Sequence, residues 1–322
     1  MHQDSPQLVD NLIPVGISSC LLGEEVRFDG GHKNNPYIVH TLGEYFRFVP
    51  FCPEVDVGLG IPREPIRLVA VGDTTRCVGT KTKGLDVTEQ LIVSAEQQKG
   101  WQGEIFGYIL KKGSPSCGME RVKLYRGDQV ERSGVGIYAQ QLMQNFPNLP
   151  VEEEGRLGDS VLRENFIQRV FIYRRWNRFI TARASWSGLT EFHARHKLIL
   201  FSHDQDMARD LGRRLSESAA LGLAEYADEY LTRMMAILKV KATRGNHVNV
   251  LQHIQGYLKK HLDSADKREL SDSIEQYRLG YLPLIVPITL LRHHFMKYPD
   301  DYIEHSYYMR PYPNELMLLN SL

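Results

Sequence analysis

An α/β N-terminal domain with a mainly parallel sheet, followed by an all-α C-terminal domain, is the fold the sequence predicts. Three observations carry it. Apolar, β-branched runs alternate with helical segments up to about residue 145, the pattern of strands joined by right-handed crossovers. Beyond about residue 161 the periodicity is helical throughout. Between them lies a polar stretch, 152–160, with glycines and an acid run that reads as a linker. A chain of 322 residues is about twice the usual length of one domain. The predicted boundaries are 1–155 for the α/β domain, 156–188 for a basic connecting helix and 189–322 for the helical domain.

The first predicted strand, Leu12 to Ser18, is apolar enough to be buried and runs into Ser19-Cys20. Asn35 can cap a helix and Pro36 suits its first position, so a helix is expected through Phe46. A second strand, Phe48 to Phe51, is stopped by Pro53 directly after Cys52. Residues 55–85 are rich in glycine and proline and read as a long loop with one hairpin near Cys77. A helix from Thr88 to Gln98, a strand from Phe106 to Leu110 and a helix from Gly134 to Asn145 complete the domain. In the second half, helices are expected at 161–183, 189–201, 216–238, 247–262, 264–279 and 283–297, with Gly280 as a stop.

Equal numbers of basic and acidic residues, 39 each, give no net charge and no bulk hint of a polyanionic partner. The longest apolar run, Leu279 to Leu291, is too short to span a bilayer and contains Pro283 and Pro287, so no membrane association is expected. The first residues, Met1 to Pro6, lack a basic and then apolar leader, which predicts a cytoplasmic protein with reduced cysteines. Nothing in the sequence demands an obligatory protein partner.

Reduced, widely spaced thiols point to metal, catalysis or plain burial. Cys20, Cys52 and Cys117, with 31 and 64 residues between them, each follow the end of a predicted strand. Ligands of open α/β sheets bind beyond the carboxyl ends of the strands, so these thiols can converge; they can also be three independent small hydrophobes. Three thiolates without a fourth suit zinc with an open position or an iron-sulfur cluster with one uncapped iron. Glu54, two residues after Cys52, is placed for general acid or base work, and Ser114, three before Cys117, for proton relay. The alternative readings are a loop salt bridge for Glu54 and an ordinary turn for Ser114. Cys77, in Thr75-Arg76-Cys77-Val78, stands apart and reads as structural.

Ser18-Ser19-Cys20-Leu21-Leu22-Gly23 with Val26 to Gly30, Cys52-Pro53-Glu54-Val55 with Pro62-Arg63, and Lys111 through Gly118 resemble the three blocks of the thiouracil desulfidase family. The resemblance covers residues 11–150. It implies that Cys20, Cys52 and Cys117 hold a 4Fe-4S cluster whose fourth iron takes the sulfur of a thiolated pyrimidine. It also implies that Glu54 is the catalytic acid/base and Ser114 its assisting hydroxyl. Phe28 stands where a tyrosine is common. The implied reaction is hydrolytic, exchanging sulfur for oxygen with no external electron donor.

The expected helix at 161–183 interleaves Arg163, Arg169, Arg174, Arg175, Arg178 and Arg183 with aromatics, a composition that fits either nucleic-acid binding or a solvated amphipathic face. Tyr230 to Leu262 contains no carboxylate. The segments Phe192 to Lys197, Ala242 to His253 and Pro287 to His294 resemble a helical domain of unknown function often fused to the desulfidase domain. That fused architecture resembles desulfidases of 4-thiouridine in tRNA and implies thiolated tRNA as partner. Candidate RNA contacts are Arg174, Arg175, Arg178, Arg195, His196, Lys197, Arg244, His247, His253 and Lys260. The rival expectations are free thiouracil or 4-thio-UMP as substrate, and a non-catalytic iron-sulfur or zinc RNA-binding sensor.

Overall fold

The computed structural model describes residues 12–182, 184–218 and 222–313. Arg183 and the leader residues discussed above lie outside them. The chain divides into two compact units between Asp159 and Ser160.

In the first unit, β1 (Ile13–Ser18), β2 (Phe46–Phe51), β5 (Tyr108–Leu110) and β8 (Val151–Glu153) form an all-parallel sheet in the order β2-β1-β5-β8. Ile13, Val15 and Ile17 on one face of β1 are fully buried and Gly16 and Ser18 on the other are buried too, as a central strand covered on both faces requires. The predicted helix after Pro36 is shortened to a π turn at Tyr37–Thr41 and a 3-10 turn at Leu42–Glu44. Short α1 (Pro53–Asp56), α2 (Thr88–Gln97), α3 (Lys99–Gln102) and α4 (Ile137–Asn145) complete the crossovers.

A second sheet was only partly legible. The hairpin β3 (Ile66–Val71) and β4 (Thr74–Gly79) appears where one was expected around Cys77. It is joined by β6 (Val122–Arg126) and β7 (Gln129–Gly134) in the order β4-β3-β6-β7. Here β7 overlaps the predicted helix only at Gly134 and otherwise falls where no element was expected, because its exposed Glu131 and Arg132 show no apolar alternation to mark a strand. Cys77 is fully buried in this sheet's core with Leu68, Leu91 and Leu124, and burial pushes its thiol pKa up. A Cys77→Ala protein should keep the same iron content on anaerobic purification. It should lose about 1–3 kcal/mol of stability, read by thermal denaturation.

The acid run read as a linker is instead β8 and its exit. Glu152 and Glu153 are buried, and Glu153 Oε1 accepts the Met119 N–H at 2.9 Å. Glu152 Oε1 accepts Arg156 Nε at 2.6 Å. Three successive glutamates look solvated in sequence, but here backbone N–H groups and side-chain cations satisfy them.

The second unit comprises α5 (Ser160–Thr181), α6 (Trp186–His203), α7 (Gln205–Glu217), α8 (Leu223–Lys239), α9 (Arg244–Tyr257), α10 (Ser264–Leu279), α11 (Ile285–Lys297) and α12 (Asp301–His305). Side-chain caps set several starts: Ser185, Asp204, Thr243, Asp263 and Asp300 each accept an N–H of the following turn. The helix expected at 216–238 appears as α8, starting at Leu223, while α7, which Asp204 caps, has no expected counterpart. Charges laced at i,i+3 and i,i+4, such as Arg213 with Asp210 and Glu217, cover the exposed face of α7. No helix among the described residues is long and apolar enough to cross a membrane.

Candidate active site

Cys20 sits in the 3-10 turn Ser19–Leu22 directly after β1, Cys52 directly follows β2 and caps α1, and Cys117 lies in the loop after β5. Those strands are neighbours, so all three residues leave the same edge of the sheet. They line one cavity of about 210 Å³ together with Glu54 and Ser114. The structure thus brings together all five residues that the sequence singled out in this half.

The loop carrying Cys117 is braced at each step. Lys111 N–H donates to Ser18 Oγ at 3.0 Å, tying the ends of β5 and β1. Lys112 N–H donates to Glu154 Oε2 at 2.6 Å, and Lys111 Nζ pairs with the same carboxylate. Gly113 takes φ +69°, a conformation other residues adopt at a cost. Ser114 Oγ then accepts the N–H of Ser116 at 3.3 Å and of Cys117 at 3.1 Å, so its hydroxyl shapes the turn it occupies. Gly136 lets the next segment close over this turn, since a Cβ there would lie 2.5 Å from Ser116 O.

Glu54 has its two oxygens divided between two tasks. Arg63 donates to Oε2 through Nε at 3.0 Å and Nη2 at 2.8 Å. Oε1 accepts Ser116 Oγ at 2.6 Å and Ser114 Oγ at 3.4 Å, and the two hydroxyls lie 2.9 Å apart. Arg63 also donates to Gly60 O at 2.8 Å and Val26 O at 2.9 Å, and its side chain is only 4% exposed. Both expectations for Glu54 therefore hold geometrically: it is half of an ion pair, and it faces the cavity. Arg63 and Ser116 are the residues that the sequence reading missed as site members. Pro62-Arg63 lay inside a quoted block and Ser116 beside Cys117, so position was the available signal.

Electrostatics set a condition on the thiols. Burial pushes Cys20 up to about 11, with Cys52 adding to it, and burial raises Cys52 and Cys117 as well. Each thiolate is disfavoured by lost solvation and by its neighbours, so the three ionise together only around a positive centre. Among the described residues no three His, Cys, Asp or Glu side chains are grouped to hold a single metal ion. The thiols border a space instead of meeting at a point, which suits a multi-iron group better than one zinc. Arg27, Lys111 and Lys112 bring positive charge to the same cavity.

The helical unit divides its ten candidate RNA contacts. Arg178, Lys197, His253 and Lys260 are exposed, and Arg174 and Arg195 are half-buried. His196 is fully buried, with Nδ1 2.7 Å from Phe192 O, and burial lowers its pKa to about 3. The Arg175 guanidinium lies 3.8 Å from the Tyr307 ring centre and donates to Pro311 O. His196 is internal and, as placed, offers nothing to a phosphate, while Arg175 is half-buried with its guanidinium engaged by Tyr307 and Pro311 O. The aromatics of α5 are core as well: Trp176 stacks on Tyr230 at 5.5 Å and meets Phe192 edge-on. Arg244 and His247 face a cleft within the unit.

The family described as 2-thiouracil desulfurase matches residues 15–154, and a protein of unknown function (DUF1722) matches residues 197–313. The uncharacterized protein YbgA of Escherichia coli (strain K12) is 30% identical over 154 residues, 48% of this chain and 91% of YbgA. The uncharacterized protein YbbK of Bacillus subtilis (strain 168) is 33% identical over 127 residues, 37% of this chain and 83% of YbbK. Among solved structures, the [4Fe-4S]-dependent thiouracil desulfidase TudS is 35% identical, covers 46% of this chain and 94% of its own, and has a TM-score of 0.39. The chain belongs to the 2-thiouracil desulfurase family, whose domain it carries at residues 15–154 ahead of a helical DUF1722 domain at 197–313.

Proposed function

We propose that the protein is a desulfidase that converts 4-thiouridine in tRNA to uridine and hydrosulfide, with a 4Fe-4S cluster held by Cys20, Cys52 and Cys117. The observation that carries the reading is the Glu54–Ser116–Ser114 chain of hydrogen bonds on the wall of the cavity that all three thiols line. Bound there, the cluster supplies an iron with an open position that withdraws electrons from a thiocarbonyl sulfur.

The protein's own groups handle the proton. Arg63 fixes Glu54 Oε2, so Oε1 alone is presented to the hydroxyls and to a water. That oxygen accepts a proton as the water oxygen bonds to the thiocarbonyl carbon, and Ser114 and Ser116 offer a path to return it to the departing sulfur. A C=O double bond replaces a C=S double bond, water supplies the oxygen, one of its protons leaves with the sulfur as hydrosulfide and the other passes to solvent, and no electrons are exchanged. A sensor without catalysis has no use for such a carboxylate, aligned from both sides.

Support for a polymeric substrate comes from charge. Arg27, Lys111 and Lys112 line the cavity, and Arg178, Lys197, His253 and Lys260 are exposed on the helical unit. A free thiouracil or 4-thio-UMP needs no second unit with basic side chains. The test is incubation of anaerobically purified protein with thiolated tRNA and, separately, with 4-thio-UMP. Loss of thiocarbonyl absorbance is expected faster with tRNA, and turnover of the free nucleotide alone overturns the tRNA assignment. With about four phosphate contacts, tRNA affinity should fall about 10²-fold between 50 and 200 mM salt.

A further inference from the structure

The helical unit contains a cleft of about 160 Å³ with unspent hydrogen-bonding capacity. It lies among α5, α6, α9 and α10, and its walls include Tyr277, Tyr308 and the aliphatic Ile199, Leu284 and Ile288. Four polar side chains decide what it can hold: Gln168, His203, Arg244 and His247.

Their donor and acceptor roles follow from proton counting. The Tyr308 hydroxyl stays protonated, because burial raises its pKa far above the usual range. It shares a hydrogen bond with His247 Nδ1 at 2.8 Å, in which either group can donate according to the imidazole tautomer. The His247 ring is neutral, with its pKa lowered by burial to about 3, so its Nε2 acts as donor or acceptor according to the same tautomer. Among the described residues Nε2 has no hydrogen-bond partner. His203 is held neutral in the same way, with a pKa lowered by burial to about 4. It gives its one proton to Val240 O from Nδ1, 2.5 Å away. Its Nε2 must then accept, yet it lies 2.7 Å from Gln168 Oε1. The contact is satisfied only with the Gln168 amide turned over, nitrogen toward His203 and oxygen free to accept another donor. Arg244 donates Nη1 to Tyr277 O at 2.6 Å, with its guanidinium 4.9 Å from the Tyr277 ring centre, and among the described residues Nε and Nη2 have no hydrogen-bond partner.

The cleft therefore offers N–H donors from Arg244 and a polar ring nitrogen from His247 beside an acceptor at Gln168, between aromatic and aliphatic walls. It is poorly made for a phosphate. Arg244 is the one cationic side chain among the described lining residues, and the Glu164 carboxylate opposes it. Its volume suits one flat heterocycle with mixed donors and acceptors on its edge. We propose that this cleft is a nucleobase-binding site, filled by the base of a free nucleoside or of an unpaired nucleotide in RNA. It needs neither the thiols nor desulfidation, so it goes beyond the function proposed above.

The test is calorimetric titration of the full chain with sulfur-free uridine, cytidine, adenosine and guanosine, with ribose and inorganic phosphate as base-free probes, and with a short unstructured RNA. At least one nucleoside should bind at one site per chain, and hydrogen exchange should slow around residues 243–250 on its addition. Ala242→Leu, which fills the cleft, and His247→Leu, which removes the polar ring nitrogen, should each weaken binding about ten-fold or more, with folding checked by circular dichroism. If RNA binds tightly, nucleosides weakly and both respond to the substitutions, RNA is the source of the base. No nucleoside binding at millimolar concentration, equal binding of phosphate alone, or binding indifferent to Ala242→Leu overturns the proposal. Should His247→Leu fail to fold, the exchange experiment on the unaltered chain decides.

Discussion

Glu54→Gln protein should purify with its full iron and acid-labile sulfide and turn over 4-thiouridine about 10²–10⁴-fold more slowly, the range general acid–base catalysis contributes. The amide keeps the shape of the carboxylate: its oxygen can accept from Arg63 while its NH2 donates to the Ser116 hydroxyl oxygen, which lies 2.6 Å from Oε1 in the unaltered chain. What it cannot do is take a proton. Iron content and the visible spectrum report on the thiols, whereas the single-turnover decay of thiocarbonyl absorbance reports on the proton step. A drop in iron parallel to the drop in rate would reassign Glu54 to structure. Unchanged turnover would remove it from catalysis altogether.

The cysteines were legible because strand ends are legible. A proline after Cys52 and a polar turn after Ser18 mark where chain leaves sheet, and parallel topology sends such exits to one edge. Arg63 was not legible as a site residue, because the argument for it lies in three-dimensional contacts. It follows Glu54 by nine positions, and only the folded loop turns its guanidinium back onto that carboxylate. The second sheet was read only as its β3–β4 hairpin, for a related reason. Its outer strand β7 faces solvent, so Gln129 to Ser133 carry no burial signal. Errors in the helical unit have the opposite origin. Arg175 and His196 look like surface residues by type, but Tyr307 and the backbone carbonyls of Phe192 and Pro311 give them internal partners. Residue type alone carries no information about such partners.

Arg63→Met should cost about 3–5 kcal/mol of stability in the first unit, the usual penalty for removing one member of a buried ion pair. Both side chains are nearly enclosed, 4% exposed for Arg63 and 14% for Glu54. The substitution leaves Glu54 charged without its partner and strips donors from Val26 O and Gly60 O. Arg63→Lys should recover only part of the loss, because an ammonium cannot reproduce the guanidinium's spread of donors to three residues. The informative protein is the double variant Glu54→Gln with Arg63→Met, compared with each single one by thermal denaturation. If the damage comes from an uncompensated carboxylate, neutralising Glu54 in the Arg63→Met background should restore stability, and the two substitutions will be far from additive. If they simply add, Arg63 acts through the two carbonyls alone. The same cycle bears on catalysis. Val26 O is also 3.9 Å from Cys52 Sγ, whose thiol can donate to it only while protonated. With Cys52 ionised as a metal ligand, Arg63 is the donor that remains on Val26 O. One guanidinium thus fixes the orientation of Glu54, the proposed acid/base, and the segment beside a thiol, and on that proposal its loss should depress kcat even where the folded protein survives.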